Sequence, residues 1–589
     1  MFAPMRLPLW SAAIALFSWA MAVSARPISI AEINYNPVGG SDYEFIELIN
    51  SGTDPFVLTG CKFTSGIDYV FGTRTLAPGA RVVVVRDLGK FADRYPGVSA
   101  LGPYSKKLSD TGDTIILTTA TGVELLKMKY SNGGSWPSRA DGYGSSLEVL
   151  DPNGDLNDPL NWRSSTEYHG SPGTAGIGPY RPVVINEVLT HTDPPIEDAI
   201  ELYNQTGTNV DVGNWYLSNQ RLDPAKFHIP AGTIIPPHSF KVFYEQRGVL
   251  GAPGFNTSAT GNKPDFTFNS AHGDEAVLMS TTGGTRLQYW IDAVTLDPAE
   301  HGYSFGRYPD FTGPLVTMEH LTFGSEVDDT FPPPFITAFR LGRGASNAAP
   351  RVGPLVINRI MYHPLTNGYE FIELLNIAGT NVPLYDLAHA TNTWRLRNAI
   401  AYDFPSGVSL APGAKLLVVP TTPAVFRAKY NLPATAAIFG PWTNALSSSG
   451  ETIELIKPDP VQEPPHPDAG YVPQILVEKI NYGTKAPWPT GADGTGAALL
   501  RLDPRRYGND PANWTVDVAS PVRLSLVEVG LDQLQLGFLA APGQGYVIET
   551  TTALAAPWTA WRVLDPTPGG GPVTVLLNRS GDAQFLRVR

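Results

Sequence analysis

Residues Glu44–Asn50 read EFIELIN and Glu370–Asn376 read EFIELLN, the same seven residues but for one aliphatic exchange. A looser version, AIELYN, stands at Ala199–Asn204. Each follows an apolar run: ISIAEINYNP at 28–37, VVINEVLTH at 183–191 and LVINRIMYHP at 355–364. Alternation of period two marks strands with one face turned to a core. A Gly-containing turn follows each Asn, then another strand. The chain thus stamps one strand-and-turn unit three times, and that repeat decides the architecture.

Further outward the copies stay in step. Eleven residues after Asn50 sits Cys61 in CKF, and eleven after Asn204 sits Trp215 in WYL; after a seven-residue insertion the third copy gives Trp394 in WRL. Cys61 therefore takes a core tryptophan's place, and with no His at a comparable position it is expected to be packing, not a nucleophile. TLAPGARVVVV (75–85) matches SLAPGAKLLVV (409–419), with IIPPHSFKVFY (234–244) as the looser middle version. Gly-acid turns precede a further strand in LSDTGDTIIL (108–117), NSAHGDEAVL (269–278) and LSSSGETIEL (446–455). Copies one and three also share a Trp/Asp-rich tail, in which Trp136 to Trp162 and Trp488 to Trp514 are both 26 residues apart. Copy two keeps only an echo, HGYSFGRYPD at 301–310.

A chain of 589 residues is too long for one core. The repeat divides it into a first unit at 26–175, a second at 180–343 and a third at 353–517, followed by a smaller alternating module at 521–589. The expected fold is all-β: three tandem immunoglobulin-like sandwiches and a small C-terminal β-sandwich. The segment from Gly248 to Lys263 is expected to be a long loop.

Residues 1–25 carry Arg6, an apolar run to about Val23, and small residues at the end, the pattern of a cleaved signal peptide. The product is expected to be secreted or held at the cell surface, without membrane insertion once the leader is removed. With 55 acidic and 42 basic residues, net charge −13, and no basic run, nucleic acid is not an expected partner. One cysteine leaves no intramolecular disulfide, so each unit must be held by its core.

The combination I/V-x-E-I/V, E-x-I-E-L-x-N, W-x-L, L-x-P-G and L-x-x-x-G-D/E resembles the lamin tail domain, an immunoglobulin-like sandwich of nuclear lamins that also occurs in exported bacterial proteins. The resemblance spans three copies and implies interaction or tethering modules. Arg359 stands where the other copies have Glu32 and Glu187, copy two lacks the Pro-Gly pair, and copy one lacks the tryptophan. Those departures weigh against a common ligand site more than against a common fold.

Four features of the sequence bear on chemistry. Glu44 and Glu47, three apart on a strand, point to opposite faces and do not converge as a hydrolase pair requires. With Ile46 and Leu48 facing in, Glu47 is expected at the surface as a cross-strand partner, and likewise Glu201 and Glu373. DPNGDLNDP at 151–159 alternates Asp151, Asn153, Asp155 and Asn157 as a calcium loop does, although Leu156 takes the glycine position and Trp162 that of the bidentate Glu. The third copy has Arg505 and Tyr507 at two of those ligand positions. Trp136 and Trp488, beside prolines in Gly-rich segments, could stack on a sugar or a partner side chain, but such rings more often fold back to cover their own domain, and packing is the favoured reading. No zinc spacing, nucleophile elbow or phosphate loop occurs, and no cofactor is expected. The expectation is a non-enzymatic protein that binds protein or surface polysaccharide, the alternative being carbohydrate binding or hydrolysis by loops of copy two or the Trp-bearing tails.

Overall fold

The computed structural model describes residues 26–246, 254–256, 266–324, 339, 341–464, 468–517, 525–530, 533–540, 546–551, 559–564, 571–578 and 585–588. The leader at 1–25 lies outside them, as does most of the loop expected at 248–263.

Alternation becomes strand in all three copies, and the strands pair in one order. In the first unit a six-stranded sheet runs Trp162–Ser164, Leu147–Val149, Ser29–Asn34, Phe45–Ile49, Arg81–Val85, Ala100–Leu101. Opposite it lies a four-stranded sheet of Glu124–Ser131, Gly112–Thr118, Lys62–Ser65 and Tyr69–Val70. The third unit repeats both orders, with Leu355–Met361 and Phe371–Asn376 at the centre of its larger sheet. The second has a five-stranded version centred on Val183–Leu189 and Ala199–Asn204. All-β sandwiches are therefore what the chain forms.

The strand phase fixes the cores. Ile46 and Leu48 lie opposite Val84 and Val82, and with Ile30, Ile33, Phe63, Ile115, Leu117 and Met128 they fill the space between the sheets. Ile30 and Ile33 are three apart yet both face in, because a bulge between Ile30 and Glu32 adds one residue. The same irregularity falls between Ile185 and Glu187 and between Ile357 and Arg359. Cys61 is buried among these residues, as its repeat position requires.

In two units the bulge is braced by an ion pair inside the core. Arg501 Nη1 binds Glu478 Oε1 and donates to Ile357 O at 3.2 Å, while Ile357 N donates to Glu478 Oε2 at 2.6 Å. In the second unit Arg307 Nη2 binds Asp292 Oδ2 at 2.9 Å, Arg307 Nε donates to Ile185 O at 2.7 Å, and Ile185 N donates to Asp292 Oδ2 at 2.8 Å. The first unit has Leu126 and Val149 at the equivalent places. A buried ion pair and a pair of hydrocarbons thus serve the same fold.

The Asn that ends each motif is a staple. Asn50 Nδ2 donates to Asp54 O and Leu76 O, both at 2.8 Å, and its Oδ1 accepts from Gly52 N at 3.0 Å. Asn204 and Asn376 make the same three bonds, the latter to Thr380 O, Leu410 O and Ala378 N. Two donors and one acceptor at one site are what an amide supplies and a carboxylate does not.

One feature was not expected. Short helices, Leu88–Arg94 and Pro423–Lys429, cross from the strand after L-x-P-G to a parallel edge strand in units one and three. Phe91 packs on Phe45, Val83 and Val85, and Phe426 packs against Val419 and Ile438, on the sheet face turned away from the sandwich core. The larger sheet is therefore covered on both faces.

The C-terminal module forms two three-stranded antiparallel sheets, with Leu536 and Val575 of one packed on Ile548 of the other.

Candidate functional site

Both glutamates of EFIELIN are fully buried, on opposite faces of their strand. Glu44 Oε2 accepts from Tyr104 Oη at 3.1 Å and Leu108 N at 2.9 Å, tying the strand to the Gly-acid turn that opens at Leu108. Glu370 accepts from Leu446 N at 3.0 Å in the same way. Burial pushes the Glu44 carboxyl up to about 7.

Glu47 was expected at the surface, and this is corrected: the chain leaving the unit lies over it. Glu47 accepts from Gly173 N and pairs with Arg81. Beside it Glu32 accepts from Ser146 Oγ and from Ser171 N at 2.8 Å, and Glu148 accepts from Arg163 Nε at 2.8 Å, with Ser171 Oγ lying between the two carboxyls, 2.9 Å from Glu148 and 3.2 Å from Glu32. In the second unit Glu187 takes Ser304 Oγ and both donors of Thr322, and Glu201 takes Asn186 Nδ2 at 2.9 Å and Ala345 N at 3.2 Å. Glu373 in the third is likewise buried, bonded to Asn358 Nδ2 at 2.6 Å and Lys415 Nζ at 3.0 Å. The fit is close enough that a Cβ on Gly170 would lie 2.4 Å from Glu32 Oε1, and one on Gly344 2.4 Å from Glu201 Oε2.

Where the third unit replaces Glu32 by Arg359, it replaces Ser146 by Ala498 and Glu148 by Leu500. Arg359 then pairs with Asp517, again on the departing chain. The covering contact is kept with its chemistry inverted. Burial holds Glu32 and Glu201 well above the usual carboxylate range and raises Glu47 as well. Proton chemistry on a substrate needs an accessible group, and these are spent on the protein's own backbone and hydroxyls.

The stacking candidates are packing residues. Trp488 is buried in the third core, its ring centroid 5.9 Å from that of Trp514, and Trp136 packs half-buried on the first core, 6.2 Å from Trp162. The tail folds back to close the end of its own sandwich, as the favoured packing reading expects, and the stacking role weighed beside it finds no exposed ring at Trp488.

The calcium candidates sit together in one loop, with their oxygens accepting from N–H groups. Asp151 Oδ1 accepts from Asn153 N at 2.9 Å, Asn153 Oδ1 from Arg26 N at 3.1 Å, Asp155 Oδ1 from Asn157 N at 2.9 Å, and Asn157 Oδ1 from Lys129 N at 2.9 Å. Asp503, with no such ligand set after it, accepts from Arg505 N at the same 2.9 Å. Asn161 and Asn513 close both loops through their Nδ2 groups. Turn closure accounts for the repeated Asp and Asn of this tail. Among the described residues no group of three His, Cys, Asp or Glu side chains is placed to hold a metal ion.

The joints between units differ. Units one and two are bridged by Tyr168 N to Gln288 O and Trp290 N to Thr166 O, both 2.8 Å, under a filled cluster of Tyr143, Tyr168 and Trp290. Between units two and three Glu300 binds Arg351 at 2.6 Å and Lys457 at 2.7 Å, beside a void of about 20 Å³. The same joint also opens into a cleft of about 410 Å³, lined among others by Tyr308, Glu319, Pro350, Ile377, Arg505, Arg506 and Tyr507. The rings of Tyr308 and Tyr507 meet edge to face, centroids 5.4 Å apart.

The Lamin Tail Domain family model matches residues 22–132 and 178–296. Both lamin-tail segments run from before the opening strand to the end of the long hairpin of the smaller sheet, and both stop short of the tail strands. Comparison with the curated proteins finds no match.

The cleft residues lie outside both lamin-tail segments. Tyr308 belongs to the divergent echo of the second unit, and Arg505, Arg506 and Tyr507 to the tail loop where the first unit carries Asn153, Gly154 and Asp155. They fall within the loops of copy two and the Trp-bearing tail where the alternative carbohydrate site was expected, although no one of them was singled out as a ligand residue. Departure was the available signal, but convergence across a joint is invisible to a single strand pattern.

Proposed function

We propose that the chain is a non-enzymatic, exported interaction and scaffolding protein of the cell surface or extracellular space, with three lamin-tail-like units presenting surfaces to a protein or a surface polysaccharide. The carrying observation is that the carboxylates recurring in the units are consumed by internal bonds, while exposed polar residues that do not recur meet at an open joint. The third unit is assigned to the same kind because it repeats the sheet order, bulge, Asn staple and covering contact of the first. Export rests on the pattern of residues 1–25, and the acidic balance speaks against nucleic acid. Carboxylates held at internal donors have no route to a glycosidic bond, which disfavours hydrolysis.

The test incubates the purified full chain with envelope fractions and extracellular polysaccharide. Saturable co-sedimentation with no growth of reducing ends is expected. Release of reducing ends that increases with time and protein concentration would contradict it.

A further inference from the structure

We infer that the cleft between units two and three binds a carboxylate-bearing sugar, a uronic acid unit of an acidic polysaccharide. This rests on the reading of the chain as a binding protein for surface polymers, and names the ligand chemistry of one site.

Its volume, about 410 Å³, falls within the range of about 300–1,000 Å³ usual for small-ligand sites. Its charge is the telling feature. In a chain of net charge −13, two consecutive arginines stand at the cleft. The Arg505 side chain has no carboxylate partner among the described residues, and Arg506 reaches only Asp510, at 3.7 Å, with its side chain 61% exposed. Exposed guanidinium groups without a close carboxylate are matched to a planar anion, which they grip through paired N–H donors.

The walls select further. Tyr308, 37% exposed, offers an aromatic surface beside the half-buried Val352 and Ile377, which suits the C–H face of a pyranose. Glu319, exposed on the lining, accepts hydrogen bonds from hydroxyls and repels a ligand charged along its whole length. A sugar with one carboxylate, several hydroxyls and an apolar face satisfies all three walls. A polyphosphate meets Glu319 unfavourably, and an acidic peptide leaves the hydroxyl acceptor unused.

The first unit provides an internal contrast. Its equivalent loop carries Asn153, Gly154 and Asp155, so the paired arginines are absent from the first unit's copy of the loop.

The test is calorimetric titration of the full chain with a tetrasaccharide that carries a single uronic acid, with its carboxyl-reduced neutral counterpart, and with a tetraglutamate peptide. The uronate is expected to bind at least tenfold more tightly than either control. R505Q and R506Q are each expected to weaken it at least fivefold, and Y308A to weaken it similarly, with unchanged unfolding midpoints. No uronate binding, equal binding of the neutral sugar, tighter binding of the peptide, or indifference to both arginine changes would overturn the inference. Co-sedimentation of the same sample with envelope fractions separates the two levels: persisting without uronate binding, it removes this ligand and leaves the broader reading standing.

Discussion

Changing Arg501 to Val alone is expected to destabilise the third unit by about 3–5 kcal/mol, because it strands a buried carboxylate without its cation. Glu478 would then keep only the Ile357 amide as a donor in the core. Burial already raises the carboxyl of Glu478, so part of the loss would be relieved by protonation. The double change Arg501→Val with Glu478→Leu installs the residue types that the first unit has at Val149 and Leu126. It is expected to recover most of the loss. Recovery falls short by the cost of leaving the Ile357 N–H and C=O without these partners, about 1–3 kcal/mol. Several units unfold in one chain, so the measurement is hydrogen exchange at the amides of Leu355–Met361. A double variant as unprotected as the single one would show that the ion pair, and not its volume, is what the bulge requires.

Raising the pH from 5 to 8 is expected to weaken units one and two more than unit three. The sign follows from the direction of the shifts. Glu32, Glu44 and Glu47 in the first unit, and Glu187, Asp198 and Glu201 in the second, are all raised, chiefly by burial. A carboxyl whose folded pKa exceeds its unfolded one holds its proton longer in the folded chain, so stability falls as pH climbs from the unfolded value through the folded one. For Glu44 that window runs from 4.5 to about 7. At 1.36 kcal/mol per unit, Glu44 alone would contribute about 2–3 kcal/mol of loss. In the third unit burial raises Glu370 and Glu478 as well, but Glu478 is paired with Arg501. Arg359 stands at the position of Glu32 and Glu187, and Glu373 lies beside Lys415, so this unit has fewer unpaired buried carboxyls to ionise. Exchange rates corrected for intrinsic pH dependence, compared over Phe45–Ile49, Ala199–Asn204 and Phe371–Asn376, read this out. Equal loosening of all three strands, or tightening at pH 8, would contradict it.

Much of the architecture was legible because strand periodicity, turn residues and repetition are local signals. Ile46 and Leu48 face in as their alternation requires, and Cys61 is core because its counterparts are tryptophans. Several features escaped that reading. A bulge adds one residue to the opening strand, so the inward phase of Ile30 and Ile33 makes sense only once pairing is known. The helices with Phe91 and Phe426 are a turn or two long, too short for a helical period to emerge beside alternating strands. Outward-facing Glu47 looked solvent-exposed because its cover, at Ser171–Gly173, arrives from more than a hundred residues away. At Trp136 and Trp488 the Gly-rich context suggested exposure, but the commoner habit of such rings, folding back on their own domain, was the better guide. The cleft assembles from two units, so only the topology brings its residues together.

The claim that the recurring carboxylates hold the units together, and that binding lies elsewhere, is tested most directly by Glu47→Ala in the full chain. Thermal unfolding and envelope co-sedimentation are followed on the same sample. Arg81 and the Gly173 amide lose their acceptor, so the transition assigned to the first unit is predicted to fall by several degrees while co-sedimentation below that transition is unchanged. An unmoved transition together with lost binding would contradict the account.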